Sequence, residues 1–224
     1  MTSKHGKQMT QLIRSQTQQA QPTTGSRKSQ EIHALYKQGL QHLRGQRNMH
    51  PEARRVEIAK LYANTKASLK KVKTDQTAAD NQTFAKLERS LWGYDLERAT
   101  AVDRATLDAT IRDAQDRATA IKKHDQAAKA LHQAEQAGDH ILARAIGKRA
   151  HDMDWHDVVH DYLDTRPKAA ETYNEAGAIW QRHNDTAARM HDGMQYVVHS
   201  PEELRGLTEQ DITAMTADPG DAAA

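Results

Sequence analysis

A chain of 224 residues with no cysteine excludes disulfides, a thiolate zinc site and a cysteine nucleophile. Charged residues make up 28% of it, for a formal charge of only +2, and Leu, Ile, Val and Phe number 32, about a seventh of the total. That content excludes a deep apolar core, because alanine supplies much of the hydrophobic fraction and buries little area per residue.

Residues 1–28 read as a flexible arm. Gln8, Gln11, Gln16, Gln18, Gln19 and Gln21 dominate it, and Pro22 and Gly25 interrupt any periodicity. Met9, Leu12 and Ile13 have the spacing of a short helical turn that would form on a partner, while nothing in the arm makes a core of its own. The arm lacks the continuous apolar stretch of a secretory leader.

Helical spacing then takes over. Ile32, Leu35, Tyr36, Leu40 and Leu43 lay one stripe on a helix from about Ser29 to Arg47. Pro51 opens the next, since proline at the first helical position sacrifices no internal hydrogen bond. Ile58, Tyr62, Thr65, Leu69 and Val72 continue its stripe. The polar run Thr74 to Gln82 predicts a turn or kink, after which Phe84, Leu87, Leu91 and Trp92 resume the pattern up to Gly93.

The longest element is expected from about Val102 to Ala137, with Leu107, Ile111, Ala114, Ala118, Ile121 and Ala128 at heptad positions and Asp125 interrupting the seam. Small residues there suit close packing in an antiparallel bundle. Gly138-Asp139 breaks the chain before a helix containing Ile141, Leu142, Ala145 and Ile146. A short segment with Trp155, Val158, Val159 and Tyr162 ends before Pro167. A further long helix carries Tyr173, Ala176, Trp180, His183, Ala187, Met190, Met194 and Val197 at three-four spacing. In it His183 reads as a hydrogen-bonded core residue and the two methionines as packing filler. Trp92, Trp155 and Trp180 read as core anchors. Ser200-Pro201-Glu202-Glu203 has the pattern of a capping box, and Thr208 with Asp211 can cap one more turn. ADPGDAAA closes the chain as a frayed tail.

The expected fold is all-α: an elongated bundle of long antiparallel helices with a flexible N-terminal arm. Its expected parts are a basic Gln-rich arm over 1–28, a basic helical region over 29–93, a long-helix bundle over 94–199, and short capped helices with a tail over 200–224. No run of about 18 apolar residues occurs, so no membrane partner is expected.

Residues 127–167 resemble one tetratricopeptide-type helical hairpin, through Ala130-Leu131, Ala134, Gly138-Asp139, Ala143, Ala150 and Pro167. The resemblance covers under a fifth of the chain and implies peptide or protein binding where further repeats stack on it.

Three patterns bear on function. HDVVH, residues 156–160, resembles the zincin motif: His156 and His160 lie four apart, but Asp157 stands one methylene short of the usual general-base Glu, and Glu175 is the downstream candidate for a third ligand. The His151-Asp152 pair, with His124 and Asp185, resembles the metal-dependent phosphohydrolases named for that dipeptide. Most informative is the division of charge. Residues 1–73 hold 15 basic residues against three acids (Glu31, Glu52, Glu57), a balance of +12, and residues 74–224 a balance of −10. Such polarity draws the N-terminal third toward an anionic partner or the acidic part of another copy. Arg44, Arg47, Arg54, Arg55, Lys60, Lys66, Lys70, Lys71 and Lys73 are the candidate contacts.

The leading expectation is a non-catalytic helical assembly or adaptor protein, cytoplasmic, scaffold-like or a component of a bacteriophage particle. Its expected partner is another protein or a second copy, and it needs no cofactor, metal or small-molecule substrate. The alternatives are sequence-independent nucleic-acid binding through residues 27–73 and a metal-dependent hydrolase at HDVVH.

Overall fold

The computed structural model describes residues 23–94 and 100–217. All regular structure among them is helical, as the periodicity predicts. The helices are α1 (Thr24–Gly45), α2 (Pro51–Trp92), α3 (Ala101–Ala120), α4 (His124–Ala137), α5 (His140–Asp152), α6 (His156–Asp164), α7 (Pro167–Asn184), α8 (Thr186–Met194) and α9 (Glu209–Thr216), with a single 3-10 turn at Glu202–Leu204. Among the described residues no helix is long and apolar enough to cross a membrane. Residues 1–22 and the final tail lie outside the described residues. The chain divides into two units, one formed by its N-terminal part up to Ala79 together with the segment from Thr186 onward, the other by Asp80–Asp185.

In the first unit α1 starts at Thr24, earlier than the spacing suggests. Thr23 caps it, its side chain accepting from Ser26 N–H at 3.2 Å. Gly25 is buried, its N–H donating to Gln76 Oε1 at 2.9 Å. A Cβ there would lie 2.7 Å from Tyr196 Oη, so glycine is what lets the start of α1 approach so closely. The core is small: Ile58, Ala59, Leu204 and Ile212, with Leu40, Leu43, Tyr62, Leu207 and Met215 packed around them.

No turn interrupts α2 between Thr74 and Gln82, contrary to the polarity of that stretch. The hydroxyls of Thr74 and Thr77 donate to the carbonyls of Lys70 and Lys73, each at 3.0 Å. Lys71 and Asp75 pair one turn apart at 3.2 Å. Those contacts lie along the helix itself, whereas Gln76 accepts from Gly25 N–H and Asp80 pairs with Arg182 and His183, and Ala78 and Ala79 favour the helix's continuation.

The second unit is built around α5, which packs against α3, α4 and α6. Seven of its fourteen core residues are alanine, among them Ala114, Ala118, Ala134 and Ala143, with Leu131, Ile146, Val158 and Tyr162 supplying the bulk. Gly147 is part of the same economy: a Cβ there would sit 2.8 Å from the Tyr162 ring. The expected single element from 102 to 137 is two helices, broken at Ile121-Lys122-Lys123. Ile121 is extended and packs against the core, and its carbonyl accepts from Arg149 Nη2 at 3.4 Å. The break lets both α3 and α4 reach α5, which one straight rod could not do with alanine-sized contacts. Asp125, which interrupts the seam, falls in the first turn of α4, where a carboxylate suits the helix dipole.

The Gly138-Asp139 turn forms as expected. Gly138 is left-handed (φ 70°) and Asp139 caps α5, accepting from Leu142 N–H at 2.9 Å. Residues 93–94 are fastened to α5 by Arg144, which donates to the Gly93 carbonyl at 2.5 Å and lies over the Tyr94 ring. The expected helix through 173–197 is likewise two, divided at Asp185. Asn184 Nδ2 takes the Trp180 carbonyl at 2.9 Å, the kind of side-chain competition that ends helices at Asn-Asp-Thr.

Trp92 and Trp155 pack against the second unit's core. Trp180, Met190 and Met194, expected inside, are exposed (58, 71 and 67%). The buried side of α7 is Ala176 and Ile179, and α8 has no buried residue. Nor does Ser200 to Glu203 make a capping box: the Glu203 carboxylate is held by Arg44 and the chain there forms only the 3-10 turn. Thr208 and Asp211 do form one, each side chain bonded to the other's backbone N–H. Those bonds from Thr208 hold the Asp211 carboxyl below the ordinary aspartate range.

Candidate functional site

The nine basic residues fall into groups with different fates. Arg44 is bidentate on Glu203, Nε to Oε1 at 2.6 Å and Nη2 to Oε2 at 2.9 Å. The guanidinium's hydrogen bond holds the Glu203 carboxyl below its ordinary range and the carboxylate raises Arg44 in return. Arg54 donates Nη2 to the Gln46 carbonyl at 2.8 Å and to Met49 at 3.1 Å, tying the α1–α2 connection. Arg55 is half-buried. Lys60 pairs with Glu57 at 3.1 Å, Lys71 with Asp75, and Lys66 with Glu209 of α9.

Three of the nine, Arg47, Lys70 and Lys73, are exposed and pair with no acidic side chain among the described residues. At 100° per residue, Lys66, Lys70 and Lys73 share one side of α2, whereas Lys60 and Lys71 lie about a third of a turn round. The set does not line a single face. Arg27, Lys28 and Lys37 of α1 are also exposed without an acidic partner among the described residues. The expected set omitted them, although the charge balance of residues 1–73 already counted them.

This region offers little to stack a base. Tyr36 and Tyr196 are buried and Tyr62 half-buried. Burial pushes the Tyr36 hydroxyl up to about 12, with Tyr62 adding to it. His33 Nε2 lies 2.9 Å from the Gln195 carbonyl, and since a carbonyl only accepts, that nitrogen carries the hydrogen.

In the second unit the zincin-like histidines are both exposed on α6. The structure groups His160 with Asp161 and Asp164, their ligand atoms within 4.8 Å of one another on the surface; His156 and Glu175 are not members of that group. His160 Nδ1 pairs with Asp164 at 3.2 Å, and Asp157 lies 4.0 Å from His124. His151 and Asp152 face different partners. His151 stacks on Trp92 with centroids 5.8 Å apart and its Nδ1 lies 3.1 Å from the Tyr173 hydroxyl, whereas Asp152 pairs with Lys148 at 2.5 Å. Burial, then Asp154, raises Tyr173 above the ordinary phenol range. His183, half-buried, pairs with the buried carboxylate of Asp80 at 3.1 Å, and Arg182 reaches the other oxygen at 3.3 Å. The bonds of Asp80 to His183 and Arg182 and of His151 to Tyr173 fasten helices to one another.

The tetratricopeptide-like segment has the expected hairpin of α4 and α5. Its far end is held by Arg166, which donates to Glu135 at 2.7 Å and lies 4.3 Å over the Tyr162 ring. Compared with known protein families, with curated proteins and with solved structures, the chain matches none.

Proposed function

We propose that this chain is a non-catalytic helical adaptor or assembly protein whose basic N-terminal third docks an anionic protein surface. One observation carries the reading: the first unit uses its acids on some cations (Arg44, Lys60, Lys66, Lys71) and leaves Arg27, Lys28, Lys37, Arg47, Lys70 and Lys73 exposed to solvent. Exposed cations without an acidic partner among the described residues, spread over two helices, supply a long-range field and faster encounter with an acidic partner. The buried or half-buried tyrosines favour acidic protein over single-stranded nucleic acid, which needs exposed rings for stacking. The acidic partner includes the C-terminal two thirds of a second copy.

The test is light scattering of the full chain over a range of concentration and salt. The expected result is a mass above the monomer that falls as salt rises, and that Lys70→Glu with Lys73→Glu lowers further. A monomer at every concentration, at about 50 mM salt, removes self-assembly. Tight binding of random duplex DNA with a steep salt dependence reassigns the surface to phosphate.

A further inference from the structure

The apolar side of α8 is uncovered. Met190 and Met194 lie one turn apart, Val197 follows them at 53% exposure, and none of the nine helical residues is buried. Methionine-rich helical faces adapt to an apolar helix laid against them.

We propose that the chain's own N-terminal segment, through Met9, Leu12 and Ile13, docks on this face. The covalent start of that segment is next to it. Gly25 packs against Tyr196 so closely that a Cβ would lie 2.7 Å from the hydroxyl, and Tyr196 is the neighbour of Val197 in the chain. His33 holds the Gln195 carbonyl at 2.9 Å, which fixes α1 to the same end of α8. Reach is ample: ten residue steps run from Ile13 to Thr23, the cap of α1, up to about 35 Å extended, against about 14 Å for the whole of α8.

The chemistry matches as well. Met9, Leu12 and Ile13 are spaced i, i+3 and i+4, giving one apolar edge of about a turn, the length of the Met190–Met194 pair. The contact covers exposed methionines in the free protein, and it stands independently of the basic-surface reading.

The absence of native cysteine makes the test direct. Gln16→Cys stands three residues after Ile13 in the sequence, and Ala187→Cys shares the methionine side of α8, so neither substitution removes a docking residue. Both positions stay within a short bismaleimide's reach whichever way the segment runs, since Ala187 to Met194 spans about 10 Å. The comparison pair is Gln16→Cys with Lys70→Cys, exposed and about 9 Å along α2 from Gln76, which holds Gly25. Intrachain cross-linking to position 187 is expected about tenfold faster than to position 70, the advantage of a docked tether over a loose one. Adding Met190→Lys and Met194→Lys to the first pair, with helicity unchanged by circular dichroism, is expected to erase the advantage. Equal rates for the two pairs, or cross-links formed only between chains, would overturn the proposal.

Discussion

The two units solve the same shortage of large apolar side chains in different ways. In the second, alanine and Gly147 bring α3, α4 and α6 close to α5, so that Leu131, Ile146, Val158 and Tyr162 fill what remains. In the first, four buried apolar residues form the cluster, and much of the fastening is polar: Arg44 on Glu203, Lys66 on Glu209, Gln76 on Gly25, His33 on Gln195. Close packing excludes water and tolerates little change. A polar-fastened unit keeps exposed cations and apolar side chains available for other molecules. The lesson is that thin apolar content does not imply one uniform looseness.

The sharpest test of this contrast is substitution in each core. Ile146→Ala should destabilise the second unit by about 3 kcal/mol, because the site is fully buried and closely packed. All three tryptophans belong to that unit, so the loss is read as a lower urea midpoint in tryptophan fluorescence. Ile58→Ala should cost about 2 to 3 kcal/mol in the first unit. Its effect belongs in the helical circular-dichroism signal and in little of the fluorescence; equal displacement of both signals would show that the units unfold together.

A smaller effect is expected at Gly147→Ala, about 1 to 2 kcal/mol, as the new methyl forces the Tyr162 ring aside. An unchanged fluorescence midpoint would mean that the α5–α6 approach has slack.

Arg44→Ala should cost about 1 kcal/mol or less, the pair being partly exposed, and less in high salt. The pH dependence has a definite sign. The Glu203 carboxyl is depressed in the folded state, so the unfolded chain binds its proton first as pH falls. The contribution is complete above the ordinary glutamate value of about 4.3 and is lost as pH falls through the lower folded value. The midpoint difference between wild type and Arg44→Ala should therefore be constant near neutrality and vanish in acid; a difference that grows in acid would contradict the ion pair's role.

Least of all should change with Lys70→Glu and Lys73→Glu, within about 0.5 kcal/mol for exposed positions with no acidic partner among the described residues. A clear loss of stability would mean that these lysines support the fold.

Much of the local structure is legible in the residues. Pro51 starts α2, Gly138-Asp139 divides α4 from α5, and Thr208 with Asp211 caps α9, because each signal acts within a turn of itself. The candidate surface is less legible. Sequence supplies the charge of Arg44, Lys66 and Lys70 alike, but their partners lie far along the chain or do not occur: Glu203 for the first, Glu209 for the second and none among the described residues for the third. The three-four stripe of Trp180, Met190 and Met194 misleads for a related reason. Periodicity records that a helix has an apolar side, and the same pattern serves a side facing a core and a side facing water.

What the sequence alone determined is therefore the helical class, several caps and the separation of charge, all of which follow from composition or from neighbours within a turn. The tertiary structure decided the rest: that α2 runs on through its polar stretch, that the chain breaks at Ile121, that Arg44 and Lys66 are neutralised while Lys70, among the described residues, is not, and that α8 keeps its methionines outside. Each of those outcomes depends on what another segment brings into contact, and burial and pairing are properties of two surfaces rather than one.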